Sequence, residues 1–186
     1  MRTSVLVASG ALFLFSALVF ADLTIGQIYK VNLADVDGNP GSTADGHITT
    51  LVVTTQSGTD KARAVGDRIP DFCLGNPTYR MITVLIFEKK HSRPTQAIFT
   101  ALIRRRLDSE GHRLQNRYNK LQISRNARQD VSAVADFDGT IAAQLGIEPT
   151  AGAFHVFIFG KNGELIKQWN EVPSAEELSA AMKPSN

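Results

Sequence analysis

The apolar positions of this chain switch repeatedly between runs of β-branched residues and helical spacing. Ile28 to Leu33 alternates weakly and stops at Asp35-Val36-Asp37-Gly38-Asn39-Pro40-Gly41, a dense turn cluster. Ile48 to Thr55 is β-branched almost throughout and predicts a buried strand. Ser57-Gly58-Thr59-Asp60 breaks it, and Thr59 or Asp60 is placed to cap a helix running to about Leu74, with Pro70 inside it. Tyr79 to Phe87 predicts a second buried strand. A polar stretch leads to Pro94-Thr95, the first turn of a helix whose apolar face is Ile98, Leu102, Ile103 and Leu107, with Leu114 further on. Val131 to Phe137 reads as a third strand, and Thr140 to Leu145 as a short helix closed by Gly146. Phe154 to Phe159 and Leu165 to Trp169 read as two strands around an Asn162-Gly163 hairpin turn. Ser174 and Glu177 occupy the capping-box positions of a last helix.

The predicted order is β-α-β-α-β-α-β-β-α, which implies parallel pairing, helices on both faces of one sheet and an antiparallel hairpin at its edge. A length of 186 residues suits one domain. With 43% hydrophobic and 20% charged residues, the composition excludes a disordered chain, a collagen and a multi-span membrane protein. The N-terminus stands apart. Arg2 precedes 17 uncharged residues, Ser4 to Phe20, and Val19-Phe20-Ala21 precedes the first acid, Asp22. This is the layout of a secretory signal peptide over residues 1–21, cleaved after Ala21. The rest, 22–186, is expected to be exported to a periplasm or secreted, with no integral membrane span after cleavage. An uncleaved anchor is the alternative, because the run is near the length that spans a bilayer.

The element order is the thioredoxin-like order, and short motifs agree with it. Gln27 to Leu33 followed by Asp35-Val36-Asp37-Gly38 resembles the opening of redoxin domains, the alkyl hydroperoxide reductase and thiol-specific antioxidant group. Ala135 to Gly139, Ala142 to Ile147 and Phe157 to Ile166 are similar to the second half of that fold: acid-containing loop, short helix ending in Gly-Ile, strand, Asn-Gly turn, strand. The resemblance covers about Ile25 to Lys183. It implies a three-layer α/β thioredoxin-like fold with a central mixed sheet of about five strands.

The resemblance also implies a chemistry that these residues do not supply. Dithiol members of the family carry Cys-x-x-Cys at the start of the helix after the first core strand. There backbone N–H groups and the helix dipole stabilise the attacking thiolate, and a second thiol resolves the mixed disulfide. Counting from the strand places that motif at Gly58 to Lys61. Counting back from Pro70, read as the family's helix-kink proline, places it at Ala62 to Val65. Neither stretch holds a cysteine. The family's proline before the fourth strand is also missing: Ala153 or Phe154 stands there, and Pro149 is five residues upstream of Phe154.

The single cysteine, Cys73, excludes a disulfide scaffold and an intramolecular dithiol site. It is expected late in the first helix among apolar neighbours, where burial and the helix C-terminus both raise a thiol pKa. A buried packing role is therefore expected. The alternative is a thiol-dependent peroxidase or reductase using Cys73 with a partner thiol.

Other motifs read as structure. Asp136-Phe137-Asp138-Gly139-Thr140 matches the nucleophile signature of haloacid-dehalogenase-like phosphatases. No Asp occurs after Asp138, so the acids such a site needs downstream are missing, and a turn capping the Thr140 helix is expected. Asp35 to Asn39 resembles the start of a calcium loop without its later ligands. His47, His91, His112 and His155 lack metal-ligand spacing. No metal and no cofactor is expected.

Charge is unevenly spread. The formal net charge is +2, yet Glu88 to Arg128 holds eleven Lys or Arg against three acids, leaving −7 on the rest of the chain after residue 21. Arg104, Arg105, Arg106, Arg113 and Arg117 lie on the long second helix. They form either a solvated face or a contact surface for an acidic protein or another anionic partner. Only Phe99 and Tyr118 interleave with them, so nucleic acid is not expected. The leading expectation is a non-catalytic binding or accessory module on a thioredoxin-like scaffold.

Overall fold

The computed structural model describes residues 23–183, so the leader expected over residues 1–21 lies outside the described residues. A short antiparallel pair comes first, β1 (Asn32–Ala34) with β2 (Pro40–Ser42). Thr43 locks it to the chain before it: its hydroxyl donates to the Tyr29 carbonyl at 2.6 Å and accepts the Val31 N–H at 2.9 Å. Between the two strands, Asp35 accepts the backbone N–H groups of Asp37 and Asn39, which closes the expected turn.

The main sheet has the order β5-β4-β3-β6-β7. Its strands are β3 (Ile48–Thr54), β4 (Tyr79–Ile86), β5 (Val131–Asp136), β6 (Phe154–Phe159) and β7 (Leu165–Trp169). The β3–β4 and β4–β5 pairs are parallel, and β6 runs antiparallel to both β3 and β7. Every residue of β3 is buried, as its unbroken apolar and threonine run requires of a strand covered on both faces.

Three helices connect these strands, α1 (Thr59–Arg68), α2 (Arg93–Lys120) and α3 (Thr140–Gln144), and a fourth, α4 (Ala175–Met182), follows β7. Register assigns their faces. Leu51 and Val53 of β3 pack with Ile82, Val84, Val134, Ile141 of α3 and Leu145 just after it. On the opposite face Val52 packs with Ala62 and Val65 of α1 and Leu178 of α4. Thr83 is Val52's partner and Ala133 is Thr83's, so the α2 residues Ile103 and Leu107, which pack on Ala133, share the α1 face. Helices thus cover both faces, with α1, α2 and α4 on one and α3 with the N-terminal segment on the other.

Three local expectations are corrected. Helix α1 ends at Arg68, and Pro70 stands outside it, ahead of a separate one-turn helix at Asp71–Cys73. A proline inside a helix removes a hydrogen bond and clashes with the preceding turn, so the chain breaks there instead. The N-cap of α1 is Gly58, without a side-chain cap; the Thr59 hydroxyl donates instead to the Gln56 carbonyl. In α2, Ile103 and Leu107 are buried as expected, but Ile98 and Leu102 are 62% and 54% exposed. By contrast, the α4 capping box forms in full between Ser174 and Glu177.

Candidate functional site

The C-terminal ends of β3, β4 and β5 share one end of the sheet, and α1, α2 and α3 all start there. At the start of α1, Gln56–Gly58 forms a single tight turn. The Thr55 and Ser57 hydroxyls pair at 2.9 Å. Gly58 is wedged so closely that a Cβ on it would lie 2.2 Å from the Thr54 hydroxyl oxygen and 3.8 Å from the Phe154 ring. The Lys61 ammonium stands 5.5 Å from the centre of that ring. This helix start therefore holds hydroxyls, a cation and an aromatic wall, but no sulfur.

The structure also decides between the two motif placements. Ala62 and Val65 lie inside α1 and are buried in the core, so Ala62 to Val65 is no site. The stretch from Gly58 to Lys61 spans the helix start. Counting back from Pro70 fails because Pro70 is not a kink within the helix.

Cys73 lies at the other end of α1, past Pro70, only 5% exposed and packed with Ile48, Val65 and Ile69. Burial pushes its thiol up to about 12. The helix-terminus contribution expected from sequence drops out, because the residue sits in a one-turn helix rather than at the end of α1. Such a thiol is almost wholly protonated at neutral pH, the opposite of an attacking sulfur.

The arginines of α2 are engaged by the protein's own acids. Arg106 reaches Asp60 at 3.4 Å, Arg113 reaches Asp67 at 2.6 Å and Arg117 reaches Asp71. Between these rungs Glu110 takes Arg63 of α1 at 2.6 Å and Arg113 at 3.0 Å. Burial alone would raise the Glu110 carboxyl, but hydrogen bonds from the two guanidiniums hold it below its ordinary range. Arg117 also donates to the Ile69 carbonyl at 2.7 Å. Arg104 binds Asp37 and the Val36 carbonyl, tying α2 to the loop after β1. Arg105 is exposed and makes no ion pair among the described residues. The excess positive charge of α2 therefore meets much of the negative charge carried elsewhere in the chain.

Beneath these pairs lies a groove of about 290 Å³ between α1 and α2. Its floor is the sheet face formed by Met81, Thr83 and Leu85 of β4 with Val131 and Ala133 of β5. One end is bordered by Cys73 and by Tyr118, whose hydroxyl donates to Asp130 at 2.8 Å and accepts the Gly75 N–H at 2.9 Å. No sequence pattern flagged this groove. The spacing of the acids at 60, 67 and 71 against the arginines at 106, 113 and 117 was the available signal.

The remaining motifs are structural in geometry. Asp136 is 3% exposed, and its carboxylate accepts the Ile141 and Ala142 N–H groups at the start of α3. Burial, opposed by those two bonds, raises its pKa. A carboxylate spent on a helix start is no phosphatase nucleophile. His155 contacts Asn170 at 2.9 Å, and His47 contacts Asp45 at 2.9 Å. His91 sits in an aromatic cluster with Phe87, Phe99 and Phe137. No group of three or more His, Cys, Asp or Glu among the described residues is placed to hold a metal ion. No described helix is long and apolar enough to cross a membrane.

No family model matches the sequence, and no curated protein matches it. Solved structures do match its fold. A Chlorobium tepidum protein described as the thiol:disulfide interchange protein DsbE is 12% identical, covers 87% of this chain and 96% of its own, and superposes with a TM-score of 0.53. A Bacteroides thetaiotaomicron protein described as a protein disulfide isomerase is also 12% identical, with 86% of each chain covered and a TM-score of 0.53. The exposed lipoprotein thioredoxin Etrx1 of Streptococcus pneumoniae is 16% identical over 82% of this chain and 97% of its own, with a TM-score of 0.50. At such identities the likeness is one of architecture, and it agrees with the sheet order, the helix placement and the motif series: this chain has a thioredoxin-like fold.

Proposed function

We propose that this chain is an exported thioredoxin-like domain that acts as a binding or accessory module and does not exchange dithiols with disulfides. The observation that carries this reading is the start of α1, where Ser57, Gly58, Thr59, Asp60 and Lys61 offer no sulfur and Gly58 has no room for a side chain. The lone thiol is buried beyond the far end of α1 and stays protonated. Residues 1–21 carry the layout of a leader, and one structural neighbour is described as an exposed lipoprotein.

The test is reduction of insulin disulfides and of peroxide by the protein beginning at Asp22, beside its Cys73→Ser variant. The expected result is turnover at the buffer background for both. Turnover that depends on Cys73 would establish the second reading, a thiol-dependent antioxidant working with a partner thiol. That reading draws on one observation: Cys73 borders the groove between α1 and α2. Intact mass of the exported form starting at Asp22 checks cleavage. An anionic partner at α2 would have Arg105 as its freest contact. Salt-independent retention on heparin would argue against that surface.

A further inference from the structure

Helix α2 is longer than the sheet it packs on. Its 28 residues span about 42 Å, against about 26 Å for the 8 residues of β4. The excess falls at the N-terminal end: no residue from Arg93 to Leu102 is buried, and burial starts at Ile103. The half-buried Phe99 anchors this overhang to Phe87 and His91. The outer surface of the overhang is two adjacent rows at four-residue spacing, Pro94-Ile98-Leu102 and Arg93-Ala97-Ala101-Arg105, with every residue exposed. The first row is an apolar ridge, and the alanines of the second form a furrow beside it, the relief into which the ridges of another helix fit. Contiguous exposed apolar side chains of this kind mark an interaction surface.

The charges around the strip select the partner. Arg93 and Arg105 close the alanine row at its two ends, about 18 Å apart along the helix. Unlike Arg104 and Arg106, which hold Asp37 and Asp60, they make no ion pair among the described residues. Lys89 and Lys90, exposed in the loop just before α2, are likewise unpaired there. No acid stands on either row between Arg93 and Arg106. A carboxylate arriving at Arg93 or Arg105 therefore displaces no acid of this chain, and the bond it makes is charge-assisted. A second copy is disfavoured, because two such strips laid together in either direction bring arginine onto arginine. A lipid surface would meet only two large apolar side chains, Ile98 and Leu102, and gains nothing from the alanine furrow that a helix fills.

We infer that the N-terminal half of α2 docks an amphipathic, acidic helix of a partner protein, its apolar side chains over Ala97, Ala101, Ile98 and Leu102 and its carboxylates on Arg93 and Arg105. This names the partner of the binding-module reading and rests on that reading. Leu102 is one turn from Arg106, so the strip adjoins the start of α1 through the Arg106–Asp60 pair.

The probe is a helical peptide of about 18 residues, with leucines at every third or fourth position and glutamates on either side of them, titrated into the chain beginning at Asp22. Saturable one-to-one binding is expected, weakened by salt. The same peptide with lysine for each glutamate should bind roughly tenfold or more weakly. Amide shifts should concentrate at Ala97 and Ala101. Ala97→Leu fills the furrow at an exposed position, so it should keep the fold and abolish binding. Arg105→Gln should weaken the acidic peptide roughly tenfold and leave the lysine peptide no weaker. Equal binding of the two peptides, or acidic-peptide binding unchanged in folded Ala97→Leu or Arg105→Gln, would overturn the assignment. So would uptake on anionic phosphatidylglycerol vesicles with no binding of the peptide, or a dimer that Ala97→Leu dissolves. Absent peptide binding together with background redox turnover removes the partner and leaves the non-redox reading. Cysteine-dependent turnover removes that reading whatever the peptide does.

Discussion

Arg113 and Asp67 meet at 2.6 Å across 46 residues of chain, and the same separation recurs at Arg106 with Asp60 and at Arg117 with Asp71. Acids spaced by seven and then four residues face arginines spaced by seven and then four. This holds α2 and the α1 segment parallel and in register, since such spacings return to one helix face. Each pair is partly exposed, so each is worth little alone. A double-mutant cycle with Arg113→Ala and Asp67→Ala should give a coupling of about 0.2–1 kcal/mol by urea unfolding, shrinking as salt is raised. A coupling that ignores salt would mean the two side chains contribute by packing instead.

Acid should loosen a second tie. Asp45 accepts Arg80 at 2.8 Å, the Ser42 N–H at 2.9 Å and the His47 ring at 2.9 Å. Burial works against ionisation, but these bonds outweigh it and bring the carboxyl down to about 2. A carboxylate lowered on folding contributes stability above its unfolded pKa of about 3.9 and loses it as pH falls toward the folded value. Melting temperature against pH should therefore show the wild type above Asp45→Asn at pH 6, the gap closing between about pH 4 and pH 2. A gap that persists at pH 2 would place the effect in packing.

Much of this architecture could be read from local pattern. The runs at Ile48 and Phe154, the Asn162-Gly163 turn and the Ser174–Glu177 box each satisfy their own backbone requirement within a few residues. What escaped depends on distant chain. Periodicity placed Ile98 and Leu102 on an apolar stripe, but it does not say which part of that stripe another element covers. The Arg104–Arg106 run read as a positive face because its partners, Asp37 and Asp60, are 67 and 46 residues away. Pro70 falls inside the helix that both the local pattern and the resemblance predict, against proline's own preference for a helix boundary. Cys73 was placed in apolar surroundings from its neighbours, but the groove it borders needed α2 in place.

The Cys73 thiol should be slow. With its pKa raised to about 12 by burial, its thiolate fraction at pH 8 is on the order of one in ten thousand. An aromatic disulfide reagent should label the native protein far more slowly than a free thiol, and the unfolded protein at once. Because the pKa is raised, the neutral thiol's contribution to stability is complete below the unfolded value of about 8.5. It declines as pH rises toward the folded value. Fast labelling of the folded chain at pH 7 would show an accessible thiolate and reopen the redox reading.

The C-terminal end of α2 is held by Tyr118, which is almost fully buried. Its hydroxyl donates to Asp130 and accepts the Gly75 N–H, so one oxygen joins α2 to the turn after Cys73 and to the segment before β5. Burial and the Asp130 carboxylate together raise its pKa to about 12, so it remains a donor throughout the neutral range. Tyr118→Phe keeps the ring and removes only that oxygen, leaving the Gly75 N–H and the Asp130 carboxylate each short of a partner. A loss of about 0.5–1.5 kcal/mol is expected in chemical unfolding, because both groups are only partly buried and Asp130 keeps its ion pair with Arg125 at 2.9 Å. Amide exchange should show faster opening at Gly75, with little change at Val52 and Val53 in the centre of the sheet. If Tyr118→Phe were neutral in both measurements, the hydroxyl would not be what holds this end of α2.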